Sequence, residues 1–150
     1  CIRDRFNYAM PLIRYSLDDT GFLASESDCP CGKTFPLMKV VNGRKDSIIR
    51  LPDGRMIPPL VIGDGMMFFK YFQYIDQYRI IQKKINLFKA LIKKKECDIK
   101  DTKMKTEFVK HFRKLLGVRE TEITVEVEFV DDIPLEKTGK LRKIISEVKF

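Results

Sequence analysis

Two permanent cations set just behind a glycine mark the stretch of this sequence best suited to chemistry. Residues 131–143 read Asp-Asp-Ile-Pro-Leu-Glu-Lys-Thr-Gly-Lys-Leu-Arg-Lys. Pro134 has no N–H with which to continue the ladder of the apolar run before it, and Gly139 can take a positive φ or let the backbone approach a bound group. Lys140 and Arg142 follow at once, so an ammonium and a guanidinium are presented beside a strand end, an arrangement that handles anions. A solvated basic turn has the same composition, and the loop alone does not separate the two readings.

Three other groups of residues carry potential chemistry. Residues 16–21, Ser-Leu-Asp-Asp-Thr-Gly, form a turn whose carboxylates can either cap structure or accept hydrogen bonds from hydroxyls. Cys29 and Cys31 flank Pro30 ahead of Gly32. Two thiolates so placed supply half of a zinc site, since zinc takes four ligands and paired cysteines are usually two or more residues apart. His111 is the only histidine, and its place in a helical pattern makes it part of that helix's face rather than a metal ligand.

Stepping outward from these residues, the patterning supplies the elements that must hold them. Residues 9–15 and 37–41 read as short strands, the second ended by Asn42-Gly43. Residues 48–51 and 55–59 read as strands joined by Pro52-Asp53-Gly54. The dense Met, Phe and Tyr content of residues 64–75 predicts a buried helix opened by Asp64. Residues 77–84 and 85–93 predict a hairpin turning through 83–86. From Asp101 the period becomes helical, with Met104, Phe108, Val109, Phe112, Leu115 and Leu116 on one face and Gly117 as the stop. Ile123, Val125, Val127 and Phe129 alternate with Thr124, Glu126 and Glu128, the pattern of a strand with one buried face, which leads directly into the basic loop. The sum is an α+β architecture: a mixed or antiparallel sheet with covering helices, preceded by a β-rich tail. The composition shift at Gly43 divides the chain into residues 1–42, a hinge at 43–47, and a domain at 48–150.

Composition bounds the partners. Of 150 residues 44% are hydrophobic and 33% charged, as in ordinary globular domains, and no apolar run approaches the roughly 18 residues of a membrane span. The net charge of +8 favours polyanions such as nucleotides, coenzyme phosphates or nucleic acid. Clusters such as Lys83-Lys84 and Lys93-Lys94-Lys95 read as solvated strand ends. With no secretory leader pattern and no disulfide framework, reduced thiols and a cytoplasmic setting are expected; Cys1 in place of a Met suggests a piece of a longer chain.

Three motifs in fixed order resemble the C-terminal third of the adenylate-forming ligase superfamily. They are Arg14-Tyr15-Ser16-Leu17-Asp18-Asp19, then Gly43-Arg44-Lys45-Asp46, then Ile133-Pro134 through Gly139-Lys140-Leu141-Arg142. The segment Cys29-Pro30-Cys31-Gly32 is similar to the phenylacetate-coenzyme A ligase and capsule-biosynthesis branch. The resemblance implies a chain that turns a small carboxylic acid and ATP into an acyl-adenylate and then a coenzyme A thioester. It sets Asp19 at the ribose hydroxyls, although Ser16 and Leu17 depart from the family's Tyr-Arg-Thr-x-Asp pattern and Asp18 competes for the role. Arg44 and Arg142 fall beside the nucleotide, and Asp46 at the hinge, with Ser47 where a second acidic residue is common. Cys29 and Cys31 become half of a zinc site whose remaining ligands lie upstream.

Lys140 matches the lysine that enters during adenylation. An ammonium between an attacking carboxylate and the α-phosphate relieves their repulsion by about 4 kcal/mol at an effective dielectric near 20, enough for roughly a thousandfold in rate. The superfamily's Ser/Thr/Gly-rich phosphate loop and its magnesium-holding glutamate are absent from these residues, so the polypeptide alone is expected to be inactive without the upstream domain. Two rivals remain at this level. One transfers the acyl group to an amine or hydroxyl instead of coenzyme A. The other is a basic nucleic-acid-binding module, which would need aromatics exposed on the sheet and is the weaker reading.

Overall fold

Alternation and periodicity past residue 75 dictate most of what is observed. In a computed structural model of the chain, the described residues are 9, 19–23, 38–44, 47–136 and 139–148. The chain divides into two units, Cys1–Lys45 and Asp46–Phe150.

Within the first unit, β1 (Asp19–Leu23) pairs antiparallel with β2 (Met38–Arg44), and the register shifts between Thr20 and Gly21 and between Phe22 and Leu23. The Asn42-Gly43 pair does not end the second strand as its turn chemistry suggests; pairing to β1 carries it through Gly43 to Arg44. The strand expected over 9–15 and the Cys29–Cys31 segment lie outside the described residues.

The second unit opens with a short hairpin, β3 (Ile49–Arg50) against β4 (Met56–Ile57). Gly54, at φ 87°, makes the turn between them, where only a residue without Cβ sits easily. The Arg55 backbone N–H and guanidinium both bond the Asp53 carboxylate and hold its pKa below the ordinary value.

The first helix differs from its expected position. α1 spans Pro59–Met67, with Pro58 as its extended cap and Pro59 in the first turn, and Asp64 lies in its interior instead of opening it. Proline's fixed φ and missing N–H suit a helix start, so the two prolines begin the helix where a strand was expected to end. The aromatic run beyond it is broken by a 3-10 turn at Phe72–Tyr74. Only part of that run is core: Met66, Phe69 and Tyr71 are buried, whereas Met67 and Phe68 are 65% and 84% exposed.

β5 (Ile75–Lys84) and β6 (Leu87–Lys94) form the expected antiparallel hairpin, with irregularities next to Gln77 and Lys84. α2 (Asp101–Leu116) follows, with Asp101 in its first turn and Arg113 and Lys114 in its last, charges that oppose the helix dipole at each end. Gly117 ends it in the left-handed conformation at φ 64°. Met104, Phe108, Phe112 and Leu116 recur every four residues and are fully buried, each contributing roughly 1.5–3 kcal/mol. β7 (Thr124–Phe129) pairs parallel with β6. A fourth strand, β8 (Ile144–Ser146), pairs parallel with β5 and gives the order β7-β6-β5-β8. This last strand is too short for its alternation to be read from the sequence.

Tyr78, Ile80, Phe88, Ala90 and Ile92 point from one face of the sheet into a core shared with α1 and α2. Gln82, fully buried, is a polar exception on this face. Its Oε1 accepts from Arg50 N (3.1 Å) and Ser146 Oγ (2.9 Å), and its amide nitrogen donates to the carbonyls of Arg50 and Ile85. The β3 hairpin is thereby joined to the large sheet through a side chain.

Candidate functional site

The residues on the opposite face of β5 and β6 build the site from below. Arg79 alternates with the buried Tyr78 and Ile80, so it projects away from the helices. Lys93, also alternating with a buried neighbour, lies 3.7 Å from Asp76 and 3.5 Å from Asp132.

Loop 131–143 leaves β7 and returns to β8 across this face. Its first limb is fixed by Val130 N donating to Ile92 O (3.0 Å), by the Lys93–Asp132 contact, and by Ile133, which is 1% exposed. Its second limb is fixed by Ile80 N donating to Lys143 O (2.8 Å) and by the Lys143 ammonium lying 5.5 Å from the Tyr78 ring centre. Arg79 joins the two limbs. Its Nε donates to Arg142 O (2.9 Å) and a terminal nitrogen donates to Pro134 O (2.6 Å).

The turn itself is closed by Glu136 N to Lys140 O (3.0 Å) and Gly139 N to Glu136 O (2.8 Å). Gly139 has φ 75°, the left-handed conformation that its sequence position suggested. Arg142 is turned inward: its Nε is 3.3 Å from the Glu136 carboxylate, and a terminal nitrogen donates to Ser47 Oγ at 3.2 Å. Lys140 is exposed, and its ammonium makes no ion pair among the described residues. The arrangement therefore holds the exposed Lys140 ammonium on a backbone that is itself held, which suits it to meet an anion arriving from outside this surface.

The other sequence candidates fall as follows. Asp19 and Arg44 are register partners in the β1–β2 ladder, so the fold sets directly opposite each other two residues that are 25 apart in the chain (44 − 19). Asp46, Cys29 and Cys31 lie outside the described residues. Among the described residues no group of three or more His, Cys, Asp or Glu side chains is placed to hold a metal ion. His111 bonds Gly65 O through Nε2 at 2.9 Å and packs against Phe69, as befits a helix-face residue.

Arg79, Lys93 and Glu136 were not singled out from the sequence. Their local pattern is that of polar residues on the solvent side of a strand or in a loop, and only the crossing of the loop gives them partners. Two surface grooves run along α2, one bordered by Val125 and Val127, the other by Phe68, Phe69 and His111. Neither includes a residue of the basic loop. Two sheet lysines are paired locally, Lys83 with Glu147 (2.6 Å) and Lys89 with Glu128 (2.7 Å), which weakens the reading of a continuous polyanion-binding surface. No helix among the described residues is long and apolar enough to cross a membrane.

Comparison with known proteins bears on the family and the fold. A family model described as the CapK C-terminal domain matches residues 53–147. Among solved structures, a 2-hydroxyisobutyryl-CoA ligase in the postadenylation state, bound to 2-HIB-AMP, superposes with a TM-score of 0.53 at 22% identity over 91% of this chain. The same ligase in an open conformation with 2-HIB-AMP and CoA gives 0.49 at 22% identity over 90% of this chain. This chain spans 29% of that ligase's length. No curated protein sequence matches it.

Proposed function

The chain belongs to the CapK C-terminal domain family, and from that premise we propose that it is the lid of an ATP-dependent acid:coenzyme A ligase, together with the tail of the larger domain before it. The observation that carries the reading is Lys140, an exposed ammonium on a turn tethered at both limbs, within a motif that resembles the one around the superfamily's adenylation lysine. The fold shared with the 2-hydroxyisobutyryl-CoA ligase supports it.

In the first half-reaction a carboxylate oxygen of a small acid attacks the α-phosphorus of ATP, and pyrophosphate leaves with the electrons of the broken P–O bond. Lys140 lowers the barrier by standing among the phosphate oxygens and the incoming carboxylate. In the second, a coenzyme A thiolate attacks the acyl carbon and AMP leaves. Asp19 and Arg44 take the ribose and phosphate side of the nucleotide. Arg142 is assigned to the nucleotide as well, and its guanidinium is shared with Glu136 and Ser47. Asp46 is the hinge about which the second unit turns, so that Lys140 withdraws before the thiol enters. Magnesium accompanies the nucleotide, and Cys29 with Cys31 would contribute two ligands to a zinc ion completed from upstream.

The test uses the full-length enzyme and measures the half-reactions separately. Lys140→Ala is expected to lower acid-dependent pyrophosphate exchange by about a thousandfold while leaving thioester formation from supplied acyl-adenylate near normal. Equal loss of both half-reactions would sink the assignment. Presenting amines beside coenzyme A in the second assay distinguishes thioester formation from transfer to nitrogen.

A further inference from the structure

Arg79, a side chain of the sheet, bonds a backbone carbonyl on each limb of the Lys140 loop. The two carbonyls it engages, Pro134 O and Arg142 O, flank the turn on either side. Each limb has other anchors, the buried Ile133 for one and the Ile80–Lys143 backbone bond for the other, which fix the limbs to the sheet separately, while the Arg142–Glu136 pair joins them near the turn. The planar guanidinium of Arg79, with donors in a fixed fork, sets the distance between them. Lys140 sits inside that bracket, its carbonyl bonded to Glu136 N, and Glu136 is in turn held by Arg142.

We propose that Arg79 is a positioning residue for adenylation: it holds the two limbs of loop 131–143 at a fixed separation and so fixes the point from which the Lys140 side chain reaches. This rests on the ligase reading of the same loop. Arg79 has both bonds directed to backbone carbonyls of the loop, so it acts through Lys140 and does not itself meet the substrate. Without the bracket, the turn keeps its own closing bonds but gains freedom to tilt about its base. A displacement of about 1 Å at a catalytic group costs up to roughly a hundredfold.

The experiment compares Arg79→Met and Arg79→Lys in the full-length enzyme. Methionine keeps the reach without charge; lysine keeps the charge without the fork. Both are expected to lower the kcat of acid-dependent pyrophosphate exchange by about ten- to a hundredfold, with little change in KM for the acid. Thioester formation from supplied acyl-adenylate should stay within about twofold of the parent. Amide hydrogen exchange at Glu136 and Gly139 should quicken in both variants. In a Lys140→Ala background, Arg79→Met should cause no further loss of adenylation, because both changes remove the same contribution.

Normal adenylation in Arg79→Met, a wild-type rate in Arg79→Lys, equal loss of both half-reactions, or an undiminished effect in the Lys140→Ala background would each overturn the proposal. Arg79→Lys serves as the milder variant should Arg79→Met fail to fold. If the parent enzyme shows no acid-dependent exchange, the ligase reading itself fails, and the amide exchange at Glu136 and Gly139 still decides whether Arg79 holds the loop.

Discussion

Replacing Gln82 with leucine would keep the bulk of a fully buried side chain while removing the four hydrogen bonds that join Arg50, Ile85 and Ser146. Buried donors and acceptors left without that partner cost roughly 1–3 kcal/mol, so Gln82→Leu is expected to lower the midpoint of denaturant unfolding by a corresponding amount. An unchanged midpoint would show that the β3 hairpin does not depend on this amide. Tyr78 bears on pH. Burial, with a smaller contribution from Asp64, raises its phenol above the ordinary 10.0. The folded pKa exceeds the unfolded one, so the contribution of Tyr78 is complete below 10 and declines as the pH rises and the unfolded chain ionises first. Between about pH 9 and 11 the parent should therefore lose more stability than Tyr78→Phe, measured by urea unfolding across that range. Parallel slopes for the two proteins would refute it. Arg142 shows how a residue's surroundings bear on its proposed role at the nucleotide: the fold adds contacts to Glu136 and Ser47 that tie the loop to the residue following the proposed hinge.

At the scale of elements, α1 and α2 meet at a glycine. A Cβ on Gly65 would lie 2.1 Å from Leu115 Cδ1 and 2.8 Å from Cδ2, and the Gly65 carbonyl is the partner of His111. The obstructing atoms are the free end of a flexible side chain, so the contact can yield at a cost. Gly65→Ala is expected to destabilise by about 1–3 kcal/mol through overpacking. The double change Gly65→Ala with Leu115→Ala should destabilise by less than the sum of the two single changes, read from unfolding curves. Strict additivity would place the cost elsewhere. Gly117 has a different role, since its φ of 64° ends α2. That requirement was evident in the sequence because the apolar period stops there. The Gly65 requirement was not, because the helix it must accommodate lies about fifty residues further on.

At the scale of the molecule, the chain spans 29% of the ligase whose fold it shares over 91% of its own length. The proposed chemistry needs a phosphate-binding loop that these 150 residues do not contain, and the grooves along α2 do not reach the basic loop. The polypeptide of residues 1–150 is therefore expected to show no acid-dependent pyrophosphate exchange, and a chain carrying the upstream domain should show it. Exchange by the 150-residue polypeptide alone would refute the division of labour proposed between the two parts.

Local periodicity and turn chemistry determined the β5–β6 hairpin, α2 with its glycine stop, β7 and the tight turn at Gly54. Each of these depends on residues close together in the chain, where sterics and the burial of alternate positions act without reference to distant partners. The tertiary structure decided what depends on distant partners. The two prolines start α1 ahead of Asp64, Met67 and Phe68 remain exposed, and β8 is a strand because β5 offers it an edge. The fold also brings Arg79 beneath Pro134 and Arg142, across 55 and 63 residues of chain. A cation on the polar face of a strand carries no local mark of the loop that will cross it, so the residue that brackets Lys140 became visible only when the sheet was assembled.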